Sequence, residues 1–318
     1  MKFGLLGLGH LGKIHLKCIL DIKEIDQLIC FDQDENTRKR IREEFNVKVA
    51  ESIDEVLDFA EAIDIVTPTT THFDLASKAI AKGKHCFIEK PVTQFVHEAE
   101  ELLKLKELNQ VKVQIGHVER FNPAFLAARP FIHNVKFIEA HRLSSFNPRG
   151  TDVSVVHDLM IHDLDLISFI AQSKIRSIHA NGVNIVSRKA DICNARIEFE
   201  SGLVCNVTAS RISLNPMRKM RLFQDDAYIS MDMLTKEAQV IRLADEPLEN
   251  SIELNTYKGL KYITIEQTEA VTLNAIREEI QSFYKSIVHN TETEVRLEDG
   301  IIALSMVQDI IDQIENEA

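Results

Sequence analysis

The amino-acid sequence predicts an α/β protein in two parts: a doubly wound parallel sheet first, then an α+β domain built on a largely antiparallel open sheet. Three observations carry this. Apolar runs alternate six times with helix-prone stretches as far as Ile115, the pattern of strands joined by crossover helices. The first run, Phe3 to Leu8, breaks into Gly7-x-Gly9-x-x-Gly12 just ahead of an amphipathic stretch. Beyond about residue 120, short apolar runs follow one another with turn residues between them. A length of 318 residues fits two domains, 1–119 and 120–318.

The glycine run reads as strand, tight turn and helix. Gly7 permits the turn, Gly9 lets backbone approach a pyrophosphate, and Gly12 lets the helix pack closely on the strand. His10 and Leu11 then sit at a helix N-terminus, whose N–H groups and positive dipole end suit phosphate. Leu28 to Phe31 is the second strand. It ends in Asp32, about 25 residues after Gly7, near the interval expected for the acid that binds the adenosine ribose hydroxyls. A carboxylate there favours NAD, because it repels the 2′-phosphate of NADP. Arg38 and Arg40 lie on the charged helix that follows and are expected to be solvated.

Val47 to Val49 gives a third strand, and Ser52 caps the next helix, with Glu55 completing a capping box. Ile63 to Val66 is the fourth strand. Thr67, Pro68, Thr69 and His72 follow at its carboxyl end, where ligands lie in open parallel sheets, although Thr and Pro there equally make turns and caps. The strand from His85 delivers Glu89 and Lys90 to the same edge, and Pro91 holds Lys90 extended. A helix from Phe95 to Leu108 and a strand from Val111 to Ile115 complete the sheet. In the second half Pro123 to Phe131 is helical, and Val135 to Phe146 opens the antiparallel strands. Two helices close the chain on stripes of Ile276, Ile280, Phe283 and Ile287, and of Leu304, Val307, Ile311 and Ile314.

Composition excludes several classes. Hydrophobic residues at 45% and charged residues at 27% are those of a globular protein, and no apolar run approaches a membrane span. A formal net charge of −12 argues against non-specific nucleic-acid binding. The five cysteines are scattered without Cys-x-x-Cys spacing, so they read as small buried groups and not as a disulfide framework or zinc site. Met1-Lys2 leads directly into the first strand, so a cytoplasmic location is expected.

His157 to Ile167 reads as a helix on which Asp158, His162 and Asp165 share one stripe at i, i+4, i+7. A histidine between carboxylates suits a general base. The same spacing also occurs on a plain polar face, with Asp158 complementing the helix dipole. No metal is expected, since hydride transfer to a dinucleotide needs none.

Taken in order, Gly7-x-Gly9-x-x-Gly12-x-x-His15, Thr67-Pro68-Thr69 with His72, Glu89-Lys90-Pro91 and Asp158-x-x-x-His162 resemble the glucose-fructose oxidoreductase, inositol dehydrogenase and rhizopine-catabolism (Gfo/Idh/MocA) family over the whole chain. The resemblance implies a Rossmann domain with NAD as cofactor, a small-molecule substrate between it and the second domain, and a homo-oligomer, dimer or tetramer, formed through the open sheet. It assigns Lys90, Asp158 and His162 to the catalytic positions. His162 would take the proton of a secondary hydroxyl, Lys90 would hydrogen-bond the same oxygen, and Asp158 would orient the imidazole.

Within the family, Asn147 to Val156, Gly116 to Pro123 and Arg218 to Arg221 resemble the branch that oxidises the 3-hydroxyl of UDP-N-acetylglucosamine to the 3-keto sugar nucleotide. Arg120, Asn122, Arg149 and Arg218 are then the substrate-binding candidates, guanidinium being suited to a diphosphate. Basic residues on an edge strand also discourage aggregation without touching a ligand. A dehydrogenase of a free sugar or inositol, and a non-enzymatic NAD-binding regulator, are the alternative functions.

Overall fold

The computed structural model describes residues 1–147, 153–247, 250–257, 259–268 and 272–316. Met1–Val118 and Asn274–Leu304 form one compact unit, and Glu119–Leu273 with Ser305–Ala318 a second.

The first unit alternates strand and helix: β1 (Lys2–Leu6), α1 (His10–Leu20), β2 (Gln27–Phe31), α2 (Glu35–Phe45), β3 (Lys48–Val49), α3 (Ile53–Phe59), β4 (Ala62–Ile65), α4 (His72–Ala81), β5 (His85–Glu89), α5 (Val96–Asn109) and β6 (Val113–Gly116). The strands are parallel in the order β3-β2-β1-β4-β5-β6. The order reverses between β1 and β4, which is where an open α/β sheet makes its ligand crevice. β4 is buried at every residue, as a central strand covered on both faces must be. Ser52 caps α3 by accepting the Glu55 N–H at 3.2 Å, but the Glu55 carboxylate accepts from Glu51 N–H, one residue earlier than the expected capping box.

In the second unit α6 (Pro123–Ala128) precedes β7 (Phe137–Leu143), and a π turn (Val156–Met160) runs into α7 (Ile161–Ala171). Then come β8 (Ile175–Val183), β9 (Ile192–Phe199), β10 (Val204–Ser210), β11 (Met217–Phe223), β12 (Ala227–Asp232), β13 (Glu237–Ala244), β14 (Ile252–Thr256) and β15 (Gly259–Gln267). They form one sheet ordered β14-β15-β13-β12-β11-β7-β10-β9-β8, antiparallel except where β10 runs parallel to β7. Alternation gives the sheet two characters. Ile138, Ala140, Arg142, Met220 and Leu222 are buried on one face, while Glu139, His141, Lys219 and Arg221 stay partly exposed on the other.

α8 (Ala275–Val288) and α9 (Leu297–Asn316) end the chain. The expected second domain, 120–318, is therefore not contiguous, because 274–304 belong with the first unit. The stripe Ile276, Ile280, Phe283 and Ile287 joins a core with Phe3, Leu5, Leu16 and Phe87. The Phe283 ring meets those of Phe3 and Phe87 edge-on at 6.3 and 6.0 Å. Periodicity shows that a helix buries one face; it does not show which sheet receives it.

Candidate active site

A pocket of about 560 Å³ lies at the carboxyl ends of β1, β2, β4 and β5. Its lining includes Gly7, Gly9, His10, Leu11 and Gly12, then Asp32, Thr67, Pro68, Glu89 and Lys90. Gly7 turns at φ +94°, and a Cβ there would stand 2.5 Å from the Val66 carbonyl oxygen. A Cβ on Gly12 would overlap the Gly7 carbonyl oxygen, whereas one on Gly9 would meet nothing within 4 Å. The first two glycines are thus demanded by the chain's own packing, and the third leaves open the approach a phosphate needs. No side chain caps α1, so its first N–H groups are available to an anion.

Asp32 fixes the same loop. Its Oδ2 accepts the Leu8 N–H at 2.7 Å and its Oδ1 the Asp34 N–H at 2.9 Å. Arg38 departs from the expectation of a solvated side chain. It donates to the carbonyl oxygens of Asp32 (2.8 Å) and Gln33 (3.1 Å), pairs with Glu51 at 3.3 Å and lies over the Phe31 ring. A guanidinium beside two carbonyl oxygens is held by them in preference to water.

Two of the residues expected after β4 do not line the pocket. His72 is buried, with Nδ1 2.9 Å from the Pro91 carbonyl oxygen and Nε2 2.9 Å from that of Thr67, so it ties two loops together. Thr69 begins a single 3₁₀ turn, and it is Thr71, two residues on, that faces the pocket. A tight turn rotates each successive side chain by about a third of a circle, which a run of three threonines conceals.

Behind Glu89 lies a buried polar cluster in which the sequence singled out only His15 and Glu89. His15 is fully buried, with Nδ1 2.8 Å from Asp64 Oδ2 and Nε2 3.1 Å from Glu89 Oε1. Burial alone would strip its proton, but Asp64 and Glu89 outweigh burial and hold its pKa well above 6.5. Glu279 of α8 completes the cluster; burial, then the neighbouring Glu89, push its carboxyl well above the usual range. Asp64 shows an acid inside an otherwise apolar strand, a signal available in the sequence. Glu279 shows none, because its partners are far along the chain.

In the second unit the helix expected over 157–167 is split. The π turn inserts an extra residue per turn, so Asp158 and His162 lie across a change of helical pitch, a feature that recurs at functional sites. Both are half-buried. Asp165 does not join them: it is fully buried and takes the Arg120 guanidinium in two bonds of 2.7 Å. Lys90 belongs to the first unit, and Asp158 and His162 to the second.

The basic residues near β11 also separate. Arg120 is 2% exposed and committed to Asp165 and the Phe169 ring. Asn122 caps α6 and donates to Glu119 and to the Met233 carbonyl oxygen. Lys219 and Arg221 pair with Asp232 and Glu139 on the open face of the sheet. Arg218 is on the opposite face, 46% exposed, with Glu119 at 3.9 Å. Arg149 lies outside the described residues.

A parallel sheet with a glycine cradle at its reversal point, an acid closing β2 and a lysine closing β5 defines a dinucleotide-dependent oxidoreductase. Residues 1–117 match the model of an oxidoreductase family with an NAD-binding Rossmann fold, and residues 104–230 that of the GFO/IDH/MocA C-terminal domain. The chain belongs to the Gfo/Idh/MocA family of NAD-binding oxidoreductases. The UDP-N-acetylglucosamine 3-dehydrogenase of Acidithiobacillus ferrooxidans is 33% identical over 288 residues, covering 90% of this chain and 88% of that one. A solved structure of that enzyme has a TM-score of 0.90 at 31% identity, covering 99% and 98%. The inositol 2-dehydrogenase of Rhizobium meliloti is 25% identical, covering 96% and 94%. Among the described residues no helix is long and apolar enough to cross a membrane.

Proposed function

We propose that this dehydrogenase oxidises the 3-hydroxyl of UDP-N-acetylglucosamine to the 3-keto sugar nucleotide. The observation that carries the reading is likeness to the Acidithiobacillus enzyme along nearly the whole of both chains, at higher identity than to the inositol dehydrogenase. Bound at the β1–α1 cradle, NAD supplies the hydride acceptor. Gly7, Gly9 and the N-terminus of α1 hold its pyrophosphate, and Asp32 accepts from the adenosine ribose hydroxyls. His162 takes the proton of the reacting hydroxyl, and Asp158 orients its imidazole. Lys90 donates to the same oxygen as negative charge grows on it. Arg218 binds a substrate phosphate, since Arg120 is already neutralised by Asp165.

Incubating the purified protein with NAD and a panel of sugar nucleotides, free sugars and inositols, and following NADH absorbance, tests this. Turnover confined to UDP-N-acetylglucosamine is the expected result. Turnover of inositol or free N-acetylglucosamine at a comparable kcat/KM overturns it in favour of a free-sugar dehydrogenase.

A further inference from the structure

Both ring nitrogens of His15 face carboxylates at hydrogen-bonding distance, Asp64 on one side and Glu89 on the other. Nδ1 is hydrogen-bonded to Asp64, whereas Nε2, 3.1 Å from Glu89 Oε1, completes no hydrogen bond, and the two carboxylates together hold the ring's pKa well above 6.5. Beside it, both carboxylate oxygens of the fully buried Glu279 lack a hydrogen-bond partner among the described residues. The Gln114 amide donates to the Glu279 backbone carbonyl and not to its carboxylate. One atom each of His15, Glu89 and Glu279 lie within 4.8 Å of one another. Two buried carboxyl groups at such range cannot both ionise cheaply, and a proton held by Glu279 removes the conflict.

The cluster touches the cofactor pocket through Glu89. One oxygen of Glu89 is at His15, the other accepts the Lys90 N–H at 3.1 Å, and the residue lines the pocket. Gly116, in register with Glu89 on β6, makes room for it, since a Cβ there would stand 2.8 Å from Glu89 Oε1. Strand order fixes which end of the dinucleotide comes near. Asp32 closes β2, the glycine cradle follows β1, and Glu89 closes β5 beyond β4, so with adenosine at Asp32 the nicotinamide lies toward Glu89. That ring is cationic when oxidised and neutral when reduced.

We infer that the His15–Asp64–Glu89–Glu279 cluster makes binding of the oxidised cofactor proton-linked: it gives up a proton when the cationic ring enters the pocket, and keeps that proton when the neutral, reduced ring enters. The inference rests on the NAD site described above. The other titratable groups around the cluster are few. α1 adds Cys18 and β2 adds Cys30, thiols that burial pushes up, Cys30 to about 12, and that stay neutral. β5 adds Lys90 at the pocket, β1 presents Phe3 and Leu5, and β6 presents Gln114. Within the cluster Asp64 is hydrogen-bonded to His15, and Asp64 and Glu89 together hold the His15 ring charged, so the carboxyl of Glu279, which has no hydrogen-bond partner among the described residues, is the group assigned to give up the proton. Affinity for NAD should rise with pH, by up to about tenfold per unit for one proton released, while affinity for NADH stays flatter.

Calorimetric titration of the wild-type protein with NAD and with NADH, in buffers of different ionisation heat, counts the protons directly. The expected result is a larger release with NAD, and loss of that difference in Glu279→Gln with both cofactors still bound. Should Glu279→Gln fail to fold, Asp64→Asn, which removes a charge from the other side of His15, is expected to shrink the difference. Equal proton counts for the two cofactors, a difference that survives in Glu279→Gln, or a stoichiometric divalent metal in the purified protein each overturn the inference. Binding of neither cofactor would sink the NAD site as well, whereas binding of both with equal counts sinks the linkage alone.

Discussion

Arg120 and Asp165, 45 residues apart, close a two-bond fork of 2.7 Å each, with both side chains at most 2% exposed. Removing one partner of such a pair leaves an uncompensated buried charge. Asp165→Ala is therefore expected to destabilise the second unit by about 3–5 kcal/mol, read as a lower urea midpoint. An unchanged midpoint would mean that the guanidinium finds other partners.

Loss of the proton acceptor should slow the reaction without weakening the cofactor. His162→Asn is expected to lower turnover roughly a hundredfold or more with NAD affinity nearly unchanged, and Lys90→Met to act likewise. Wild-type kcat in both variants would reduce the Asp158–His162 pair to a polar helix face.

Cofactor choice turns on Asp32, which lines the pocket while Arg38 is occupied by the carbonyl oxygens of Asp32 and Gln33. NAD should bind more tightly than NADP, and Asp32→Ser should narrow the gap. Titrating both cofactors decides it; equal or tighter NADP binding by the wild type would refute the assignment.

Asp191 gives the acid limb of stability a defined origin. Burial opposes its ionisation, but the Ser187 hydroxyl and the N–H groups of Ile185, Val186 and Ser187 all donate to it and hold its pKa down at about 2. A carboxyl depressed on folding stabilises fully above its ordinary value of 3.8, and that contribution drains away as pH falls toward about 2. Thermal melts of Asp191→Asn should show lower stability at neutral pH and a flatter loss across that acid window. An acid limb as steep as in the wild type would rule this origin out.

What the sequence made legible was local. Gly12 is required by backbone contact within the β1–α1 turn, Gly7 by its own φ of +94° there, and Asp32 by the loop it caps, so motif spacing reports them faithfully. Alternation along β11 already separates Arg218 from Lys219 and Arg221, although the three read as one patch when only proximity in the chain is weighed. The misplaced residues answer to distant partners. Asp165 looked like a companion of His162 until Arg120 claimed it, and His72 looked like a ligand contact although two carbonyl oxygens hold its ring. Glu279 belongs to a cluster assembled from α1, β4, β5 and α8, and no spacing rule reaches across that distance.

The return of α8 to the first unit sets a timetable for biosynthesis. Strands β1 to β6 leave the ribosome about 155 residues before the helix that covers Phe3 and Phe87, an interval of roughly 8–30 s at ordinary elongation rates. Throughout it the nascent sheet carries an uncovered aromatic face and an acid–histidine trio, His15, Asp64 and Glu89, lacking its fourth member. The cofactor-binding half of this dehydrogenase is thus begun first and finished late, and a fragment ending at residue 118 lacks part of its own core.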